Sequence, residues 1–296
     1  MTRLPLGIIA GTGFYDLGAL QDTSDETVAT AFGDARVTRG TWHGIPVVFL
    51  TRHGAGHSVP PHLVNYRANI RALADLGVRD VVAVNVTGSI DPDLRPGDLL
   101  CLDDFLDLTK RRPVTFFDGS GPEGVVHTDV LEPYHPAIRA EILESAAAAG
   151  HSIRDGGVYA CFEGPRFETR AEIRLAALAG ADVAGMTGVP EVTLAAEAGL
   201  RYAAISLVVN PASGVGDSTE LTPRHPLQVF LRAARVIRSA KLCHPDVSLG
   251  ATSFHQAIEH RVYLASAQRK VMRVDCGVSE SAALLQGAGG PFEFDL

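Results

Sequence analysis

The feature that most constrains the fold is a series of short apolar runs, rich in β-branched residues, that alternate with segments of good helix formers. Because both alternating sets of positions in these runs are largely apolar, we expect strands that are buried on both faces. The runs are LGIIAG (6–11), IPVVFLTRH (45–53), DVVAVNVTGS (80–89), DLLCLDDFLDL (98–108), GVYACFEG (157–164), ADVAGMT (181–187) and YAAISLVV (202–209).

Several of these runs are separated by segments whose apolar residues recur at helical spacing. These segments are residues 65–77, 135–150, 169–180 and 189–199, and the last three end at a glycine, as helices commonly do. Alternation of strands and helices is typical of α/β proteins. The sequence therefore predicts a single domain with a central mixed, partly parallel sheet flanked by helices.

The pattern changes toward the C-terminus. No internal repeat and no Pro/Gly-rich linker occurs before about residue 240, so we predict one domain over residues 1–242. Its last segment, residues 225–242, is amphipathic. Residues 243–296 show only weak patterning and predict a poorly ordered C-terminal tail.

Charge and apolar run length limit the kinds of partner. The formal net charge of −8 opposes a role in coating nucleic acid or an anionic membrane surface. The apolar runs fall short of the roughly 18 to 20 residues that cross a bilayer. The first residues are typical of a strand entering a turn rather than of a signal peptide. We therefore predict a cytoplasmic protein that binds neither nucleic acid nor membrane.

The four cysteines are scattered along the chain without a CxxC pair. This spacing favours neither a zinc site nor a disulfide framework. Cys101 and Cys161 lie in apolar runs and are interpreted as small buried hydrophobic residues.

Polar residues at strand ends are the candidates for function, because ligands of such sheets bind beyond the carboxyl ends of the strands. The candidates are Thr12, Arg52, His53, Asn85, Thr87, residues 163–168, Met186, Thr187 and Asn210.

Two of these strand ends indicate an anion site. TRHGAGH (51–57) places Arg52, His53 and His57 beside two glycines, and their donors suit phosphate. The alternative is a solvated loop; a metal site is disfavoured because no carboxylate or cysteine is near. AGTG (10–13) could present Thr12 and backbone N–H groups to an oxyanion, or be a plain turn.

Two further strand ends indicate a flat heterocycle and its sugar. EGPRFETRAE (163–172) presents an aromatic ring and a carboxylate together at Phe167 and Glu168; the alternative is helix capping by Thr169 or Glu168. GMTGVPE (185–191) offers Thr187 as a phosphate hydroxyl and Met186 as an apolar wall, or else a capping Thr and a buried Met.

Taken together, AGTG, TRHGAGH, VNYRANI, FLDLT…RPVTFFDG, HTDVLEPY, EGPRFETRAE, GMTGVPEV and LVVNPASG closely resemble the trimeric purine nucleoside phosphorylase and methylthioadenosine phosphorylase family. The resemblance covers about residues 6–240 and leaves residues 243–296 outside. It implies a homotrimer that cleaves purine nucleosides with orthophosphate as co-substrate, without metal or other cofactor.

The resemblance also implies residue roles. Phosphate is held by Thr12, Arg52, His53, Asn85, Val86 through its backbone, and Thr187. The base and ribose are held by Phe167, Glu168, Met186, Asn210 and His57. A neighbouring subunit brings His127 to the 5′ side of the sugar. The catalytic assignments are Asn210, Glu168 and His53.

Asn210 bears on the choice of base. Methylthioadenosine phosphorylases that resemble this chain have an aspartate at the matching position and another two residues later, where this chain has Asn210 and Ala212. An amide donates to N7 or to a 6-oxo oxygen, and Glu168 accepts the N1–H that only a 6-oxopurine has.

This pair favours inosine, guanosine or 5′-methylthioinosine as substrate. FLDLT…RPVTFFDG and His127 resemble the methylthioadenosine branch, which leaves the 5′ group open. The alternative is an S-methyl-5′-thioadenosine phosphorylase, and a remote alternative is a nucleoside-binding protein without turnover.

Overall fold

A computed structural model describes residues 3–11, 20–54 and 58–216, all of which lie in one compact unit. Thr12, His57, the amphipathic segment 225–242 and the predicted tail 243–296 lie outside the described residues. The domain boundary at residue 242 therefore stays a prediction. None of the described helices is long and apolar enough to cross a membrane.

The described residues form eleven strands, which four helices divide into groups. The strands are β1 (Leu6–Ala10), β2 (Gln21–Thr30), β3 (Gly33–Trp42), β4 (Ile45–Thr51), β5 (Asp80–Ser89), β6 (Leu99–Cys101), β7 (Asp104–Leu108), β8 (Arg154–Asp155), β9 (Val158–Phe162), β10 (Val183–Gly185) and β11 (Arg201–Pro211). The helices are α1 (Tyr66–Asp75), α2 (Pro136–Ala148), α3 (Arg170–Leu178) and α4 (Glu191–Glu197), with a 3₁₀ turn at Pro61–Leu63.

All of these strands belong to one mixed sheet. One path through it runs β2-β3-β4-β1-β5-β10-β9-β7, and β11 pairs with the other side of β5 and with β6, which in turn pairs with β8. The pairs β1/β4, β1/β5, β5/β11, β9/β10 and β7/β9 are parallel, whereas β2/β3, β3/β4, β5/β10 and β6/β11 are antiparallel. The predicted fold class is confirmed.

Strand β5 is the centre of the sheet because it pairs with three strands. β1 pairs with its first half and β10 with its last two residues, while β11 runs along its other side. Val81–Val84 of β5 and Ala203–Leu207 of β11 are buried. Because these strands are buried on both faces, apolar residues occupy both alternating sets of positions.

The helices follow local signals in the sequence. Thr169 and Glu172 form a reciprocal capping box at the start of α3. Gly150, Gly180 and Gly199 follow the helices α2, α3 and α4 with φ angles of 70°, 87° and 70°, which residues with a Cβ rarely adopt. The prediction that these three helices end at glycine is confirmed.

Two features differ from the prediction. The run 98–108 divides into β6 and β7, which pair with different strands. The hairpin β2–β3 has no counterpart in the predicted strands, because β2 is polar and almost fully exposed and so lacks an apolar run. Cys101 and Cys161 are buried and free, as predicted.

Candidate active site

A cavity of about 410 Å³ opens where several strands end. Its wall is built by residues that follow β1, β4 and β9 and by the last residues of β5, β10 and β11. The lining residues are Gly11, Arg52, His53, Pro60, Pro61, Val86, Thr87, Gly88, Pro165, Phe167, Glu168, Ala184, Gly185, Met186, Thr187, Val209, Asn210, Ala212 and Ser213.

Most of the predicted site residues meet in this cavity. Those that line it are Arg52, His53, Val86, Phe167, Glu168, Met186, Thr187 and Asn210. Asn85 does not line it; the residue is only 1% exposed, and its Oδ1 accepts a hydrogen bond from the Thr187 hydroxyl at 3.4 Å. His127 lies on an exposed segment and is not among the residues that line the cavity.

Arg52 is held by a partner that the sequence did not single out. Its Nε and Nη2 donate to the two carboxylate oxygens of Glu191 at 2.6 and 2.8 Å, and its Nη1 donates to the Val84 carbonyl at 2.7 Å. Both side chains of the pair are almost completely buried. Burial alone would lower the pKa of Arg52, but the charge of Glu191 raises it, so the guanidinium is cationic.

This pairing changes what Arg52 can offer to an anion. The planar fork expected to face phosphate is engaged by Glu191 instead. Of the five guanidinium N–H groups, one on Nη1 and one on Nη2 remain. Nη1 lies so close to Gly11 that a Cβ added there would be 3.3 Å from it. Glu191 therefore holds the donors of Arg52 in place before an anion binds, and it compensates the charge of the guanidinium.

A hydrogen bond at Nδ1 fixes the tautomer of the neutral His53 ring. Its Nδ1 lies 2.8 Å from the Val59 carbonyl, which can only accept a hydrogen bond. In the neutral ring the proton is therefore on Nδ1, and Nε2 is the acceptor.

The segment after β9 performs both functions considered for it. Thr169 caps α3, and Glu168, one residue earlier, lines the cavity. Burial raises the pKa of the Glu168 carboxyl above its usual range, and the charge of Glu172 adds to the shift. Phe167 is 53% exposed at the edge of the cavity. The cap and the candidate base contacts are adjacent residues rather than alternatives.

The turn after β10 is fixed by a buried tyrosine. The Tyr159 hydroxyl accepts hydrogen bonds from the backbone N–H groups of Thr187 and Gly188 at 3.1 and 3.2 Å. Thr187 does not cap α4, whose N-cap is Pro190. Met186 is half-buried, and its Sδ would lie 2.7 Å from a Cβ at Gly164.

Asn210 reaches the cavity from an irregular point in β11. The register with β5 shifts between Val208 and Asn210, so that Asn210 pairs with Gly88. A bulge re-aims the side chains that follow it. Asn210 is 9% exposed, and its Nδ2 donates to the Pro211 carbonyl at 2.6 Å, which leaves a second N–H on the same nitrogen.

Similarity to known proteins agrees with this geometry. The model of the Phosphorylase superfamily matches residues 5–239. The chain belongs to this superfamily. The resemblance inferred from the sequence motifs is thereby confirmed.

Three known proteins illustrate the similarity. A probable 6-oxopurine nucleoside phosphorylase of Moorella thermoacetica is 48% identical over 233 residues, covering 79% of this chain and 89% of the relative. A probable S-methyl-5′-thioinosine phosphorylase of Methanopyrus kandleri is 46% identical, covering 72% of this chain and 80% of the relative. The crystal structure of a methylthioadenosine phosphorylase from an Antarctic soil metagenomic library has a TM-score of 0.73 and 34% identity, covering 82% of this chain and 86% of that chain.

Four polar residues of this phosphorylase were not among the site residues predicted from the sequence. Glu191 and Tyr202 form a buried chain with Arg52, in which the Tyr202 hydroxyl donates to Glu191 at 2.7 Å. Arg112 is a second buried cation. Ser213 lines the cavity three residues after Asn210, and its buried hydroxyl has no hydrogen-bond partner within the described part of the chain.

Glu191, Arg112 and Ser213 lie in the motifs GMTGVPEV, RPVTFFDG and LVVNPASG, and Tyr202 begins an apolar run, but the sequence did not indicate a role for any of the four. Among the described residues, no group of three His, Cys, Asp or Glu side chains is arranged to hold a metal ion.

Proposed function

We propose that the chain is a phosphorylase of 6-oxopurine nucleosides that releases the free base and a pentose 1-phosphate, a reaction of purine salvage. The observation that carries this proposal is the pairing of Glu168 and Asn210 in one cavity with Arg52, His53 and Thr187. The first two suit the edge of a 6-oxopurine, and the other three suit an oxyanion.

Base recognition follows from donors and acceptors. Glu168, when ionised, accepts the N1–H of hypoxanthine or guanine. The free N–H of Asn210 donates to the 6-oxo oxygen or to N7. Phe167 lies beside the base and Met186 under the ribose, and His57 is assigned to the same part of the site. Adenine lacks the N1–H that Glu168 accepts, and its 6-amino group cannot accept the N–H that Asn210 donates to a 6-oxo oxygen.

Phosphate is held by hydrogen-bond donors around a compensated cation. The remaining N–H groups of Arg52, the hydroxyl of Thr187 and the backbone N–H of Val86 are assigned to it, with Thr12. His53 is assigned to it as well; because Nδ1 donates to the Val59 carbonyl, His53 donates to phosphate from Nε2 only when both ring nitrogens carry a proton. Asn85 supports this end through its hydrogen bond with Thr187. Because Glu191 fixes the guanidinium in advance, little reorganisation is needed when the anion binds.

The chemical step is a substitution at C1′ of the sugar. The C1′–N9 bond breaks and its electron pair leaves with the purine, while a phosphate oxygen forms the new bond to C1′. The base takes up a proton that originates from solvent. Asn210 stabilises the charge that develops on N7 and O6 by donating a hydrogen bond, and the phosphate charge stabilises the cationic sugar. Orthophosphate is a co-substrate, and no metal or other cofactor is assigned.

We further propose a cytoplasmic homotrimer in which His127 enters the active site of a neighbouring subunit. Support comes from the surroundings of His127, which is exposed and flanked by the exposed apolar side chains of Val125, Val126 and Leu131. Apolar side chains grouped in this way are typical of interfaces.

A substrate panel tests the proposal. Inosine, guanosine, adenosine, 5′-methylthioinosine and 5′-methylthioadenosine are each incubated with and without phosphate, and the released base is measured. We expect phosphate-dependent release of hypoxanthine and guanine, with discrimination against adenine of about 10⁴-fold or more in kcat/KM.

Equal cleavage of adenine nucleosides would support the methylthioadenosine phosphorylase alternative. Binding without product would support the non-catalytic alternative. Comparison of inosine with 5′-methylthioinosine decides the 5′ group.

A further inference from the structure

Arg112 is a buried arginine outside the cavity whose side chain is bound mainly by main-chain carbonyls. Its Nη1 donates to the Val189 carbonyl at 2.6 Å and to the Tyr66 hydroxyl at 3.1 Å. Its Nη2 donates to the carbonyls of Phe162 and Glu163 at 3.1 and 2.8 Å. The guanidinium carbon also lies 5.2 Å from the centre of the Tyr66 ring.

The charge of Arg112 is only partly compensated. The nearest carboxylate is that of Glu163, whose Oε2 lies 3.7 Å from Nε, too far for a hydrogen bond. Burial raises the pKa of the adjacent Cys161 thiol to about 11, so that sulfur is neutral. A buried cation without a close ion pair is expensive. The carbonyls of Phe162, Glu163 and Val189 supply most of the hydrogen bonds that offset this cost.

The hydrogen-bond partners of Arg112 belong to three segments that lead to different parts of the cavity wall. Phe162 is the last residue of β9, and Glu163 follows it and leads into the segment with Phe167 and Glu168. Val189 follows Thr187 and precedes α4, which contains Glu191, the partner of Arg52.

The third wall is reached through Tyr66. Its hydroxyl donates to the Pro61 carbonyl at 2.9 Å, and Pro61 lines the cavity. One guanidinium thus joins the backbone of the base side to that of the phosphate side and to the Pro60–Pro61 wall.

The planar geometry of arginine matters for this arrangement. A guanidinium directs its N–H groups at fixed angles in one plane, so the carbonyls it binds are held at fixed mutual distances. A lysine ammonium at the end of a flexible chain can bind these carbonyls but cannot fix the angles between them. Arg112 is therefore suited to fix the distances between the carbonyls that it binds. A residue that only compensated charge would not need this geometry.

We propose that Arg112 is a positioning residue that sets the separation between the base-holding segment and the phosphate-holding turn, and so aligns C1′ of the nucleoside with the attacking phosphate oxygen. This inference rests on the proposed function. It predicts that loss of the Arg112 geometry lowers turnover far more than it lowers the binding of hypoxanthine or of phosphate alone, because the base is assigned to the segment with Phe167 and Glu168 and phosphate to the turn with Thr187.

The test compares Arg112→Lys with Arg139→Lys. Arg139 is the control, because its Nε and Nη2 also donate to main-chain carbonyls, those of Leu102 and Cys101 at 2.9 and 3.5 Å, away from the lining of the cavity. It differs from Arg112 in that its Nη2 also pairs with the carboxylate of Asp155. For each variant, kcat is measured at saturating inosine and phosphate, the Kd values of hypoxanthine and phosphate are measured separately by calorimetry, and Tm is recorded.

We expect Arg112→Lys to lose about 10²-fold in kcat, the size of effect that a displacement of about 1 Å can cause. The two Kd values should change less than the kcat, and Arg139→Lys should retain its kcat even where its Tm falls. A lower Tm with unchanged kcat in Arg112→Lys would show that Arg112 only stabilises the fold. An equal loss of kcat in both variants would also overturn the proposal.

A milder variant decides the matter if Arg112→Lys does not fold. Tyr66→Phe removes the hydroxyl that links Arg112 to Pro61 and keeps the ring. We expect a fall of several-fold in kcat with little change in either Kd, and an unchanged kcat would contradict the proposal. The parent protein separates the two hypotheses: if it shows no phosphate-dependent turnover, the proposed function fails, whereas turnover that is insensitive to these variants refutes only the role of Arg112.

Discussion

At the scale of single residues, the identity of position 210 decides which edge of a purine the site can read. Asn210→Asp replaces a donor with an acceptor, and the added Glu168→Ser removes the acceptor for N1–H. We expect the preference for inosine over adenosine in kcat/KM to fall in the single variant and further in the double variant, from an initial ratio of about 10⁴ or more. The measurement is kcat/KM for both nucleosides. A parent protein that cleaves both equally would contradict this role of Asn210.

Glu168 should also determine the acidic side of the pH profile. It accepts from N1–H only as a carboxylate, and burial raises its pKa, so this ability is present above the raised pKa and is lost as the pH falls through it. We expect kcat/KM for inosine to decline at a higher pH than an ordinary glutamate would cause. Glu168→Gln should have low activity and lack this decline. A decline that persists in Glu168→Gln would assign it to another group.

The pair of Arg52 and Glu191 shows how burial changes the contribution of an ion pair to the free energy of unfolding. Glu191→Gln leaves the buried guanidinium without its countercharge, and breaking such a pair costs about 3 to 5 kcal/mol. We expect that loss in the free energy of unfolding in urea, together with a higher KM for phosphate.

Glu26→Gln is the matched control, because the Glu26–Arg39 pair has side chains 41% and 46% exposed. It should change stability by no more than about 1 kcal/mol. Similar losses in the two variants would mean that the Arg52–Glu191 pair has no special role.

At the scale of elements, the close contact of β5 and β11 positions Asn210 at the cavity. A Cβ at Gly88 would lie 3.2 Å from the Ala212 Cα and 3.3 Å from the Asn210 Nδ2. Gly88→Ala should therefore displace the end of β11, destabilise the fold by about 1 to 3 kcal/mol and lower kcat/KM for inosine.

Gly121→Ala serves as the control, because the Cβ there would meet only the end of the flexible, exposed Glu123 side chain, at 3.0 Å. Unfolding in urea and inosine kinetics provide the comparison. Normal kinetics in Gly88→Ala would show that the strand end adapts without moving Asn210.

At the scale of the whole molecule, the proposed shared site can be tested by mixing subunits. Arg52→Ala and His127→Ala each damage a different contributor to the same site. In randomly mixed trimers roughly one site in four combines an intact Arg52 with an intact neighbouring His127, so about that fraction of activity should return. Activity is measured after subunit exchange, and exchange itself is followed with differently tagged chains. Confirmed exchange without recovery of activity would exclude a shared site.

The sequence by itself determined the elements that short-range patterns encode. Apolar runs located β1, β4, β5, β9, β10 and β11, and glycines marked the ends of α2, α3 and α4. The residue types at the strand ends also predicted most of the cavity, because strand ends converge in a sheet of this kind. Such signals are local, and a linear pattern is sufficient to find them.

Only the tertiary structure decided which distant residues meet. Glu191 pairs with Arg52 across 139 positions, and Arg112 reaches Val189 across 77. No periodicity encodes such pairs, because each depends on how the sheet brings separate strand ends together. The polar hairpin β2–β3 likewise forms by pairing with β4 rather than through an apolar run of its own. The register shift just before Asn210 occurs where β11 passes close to Gly88, a packing contact that exists only once both strands are in place.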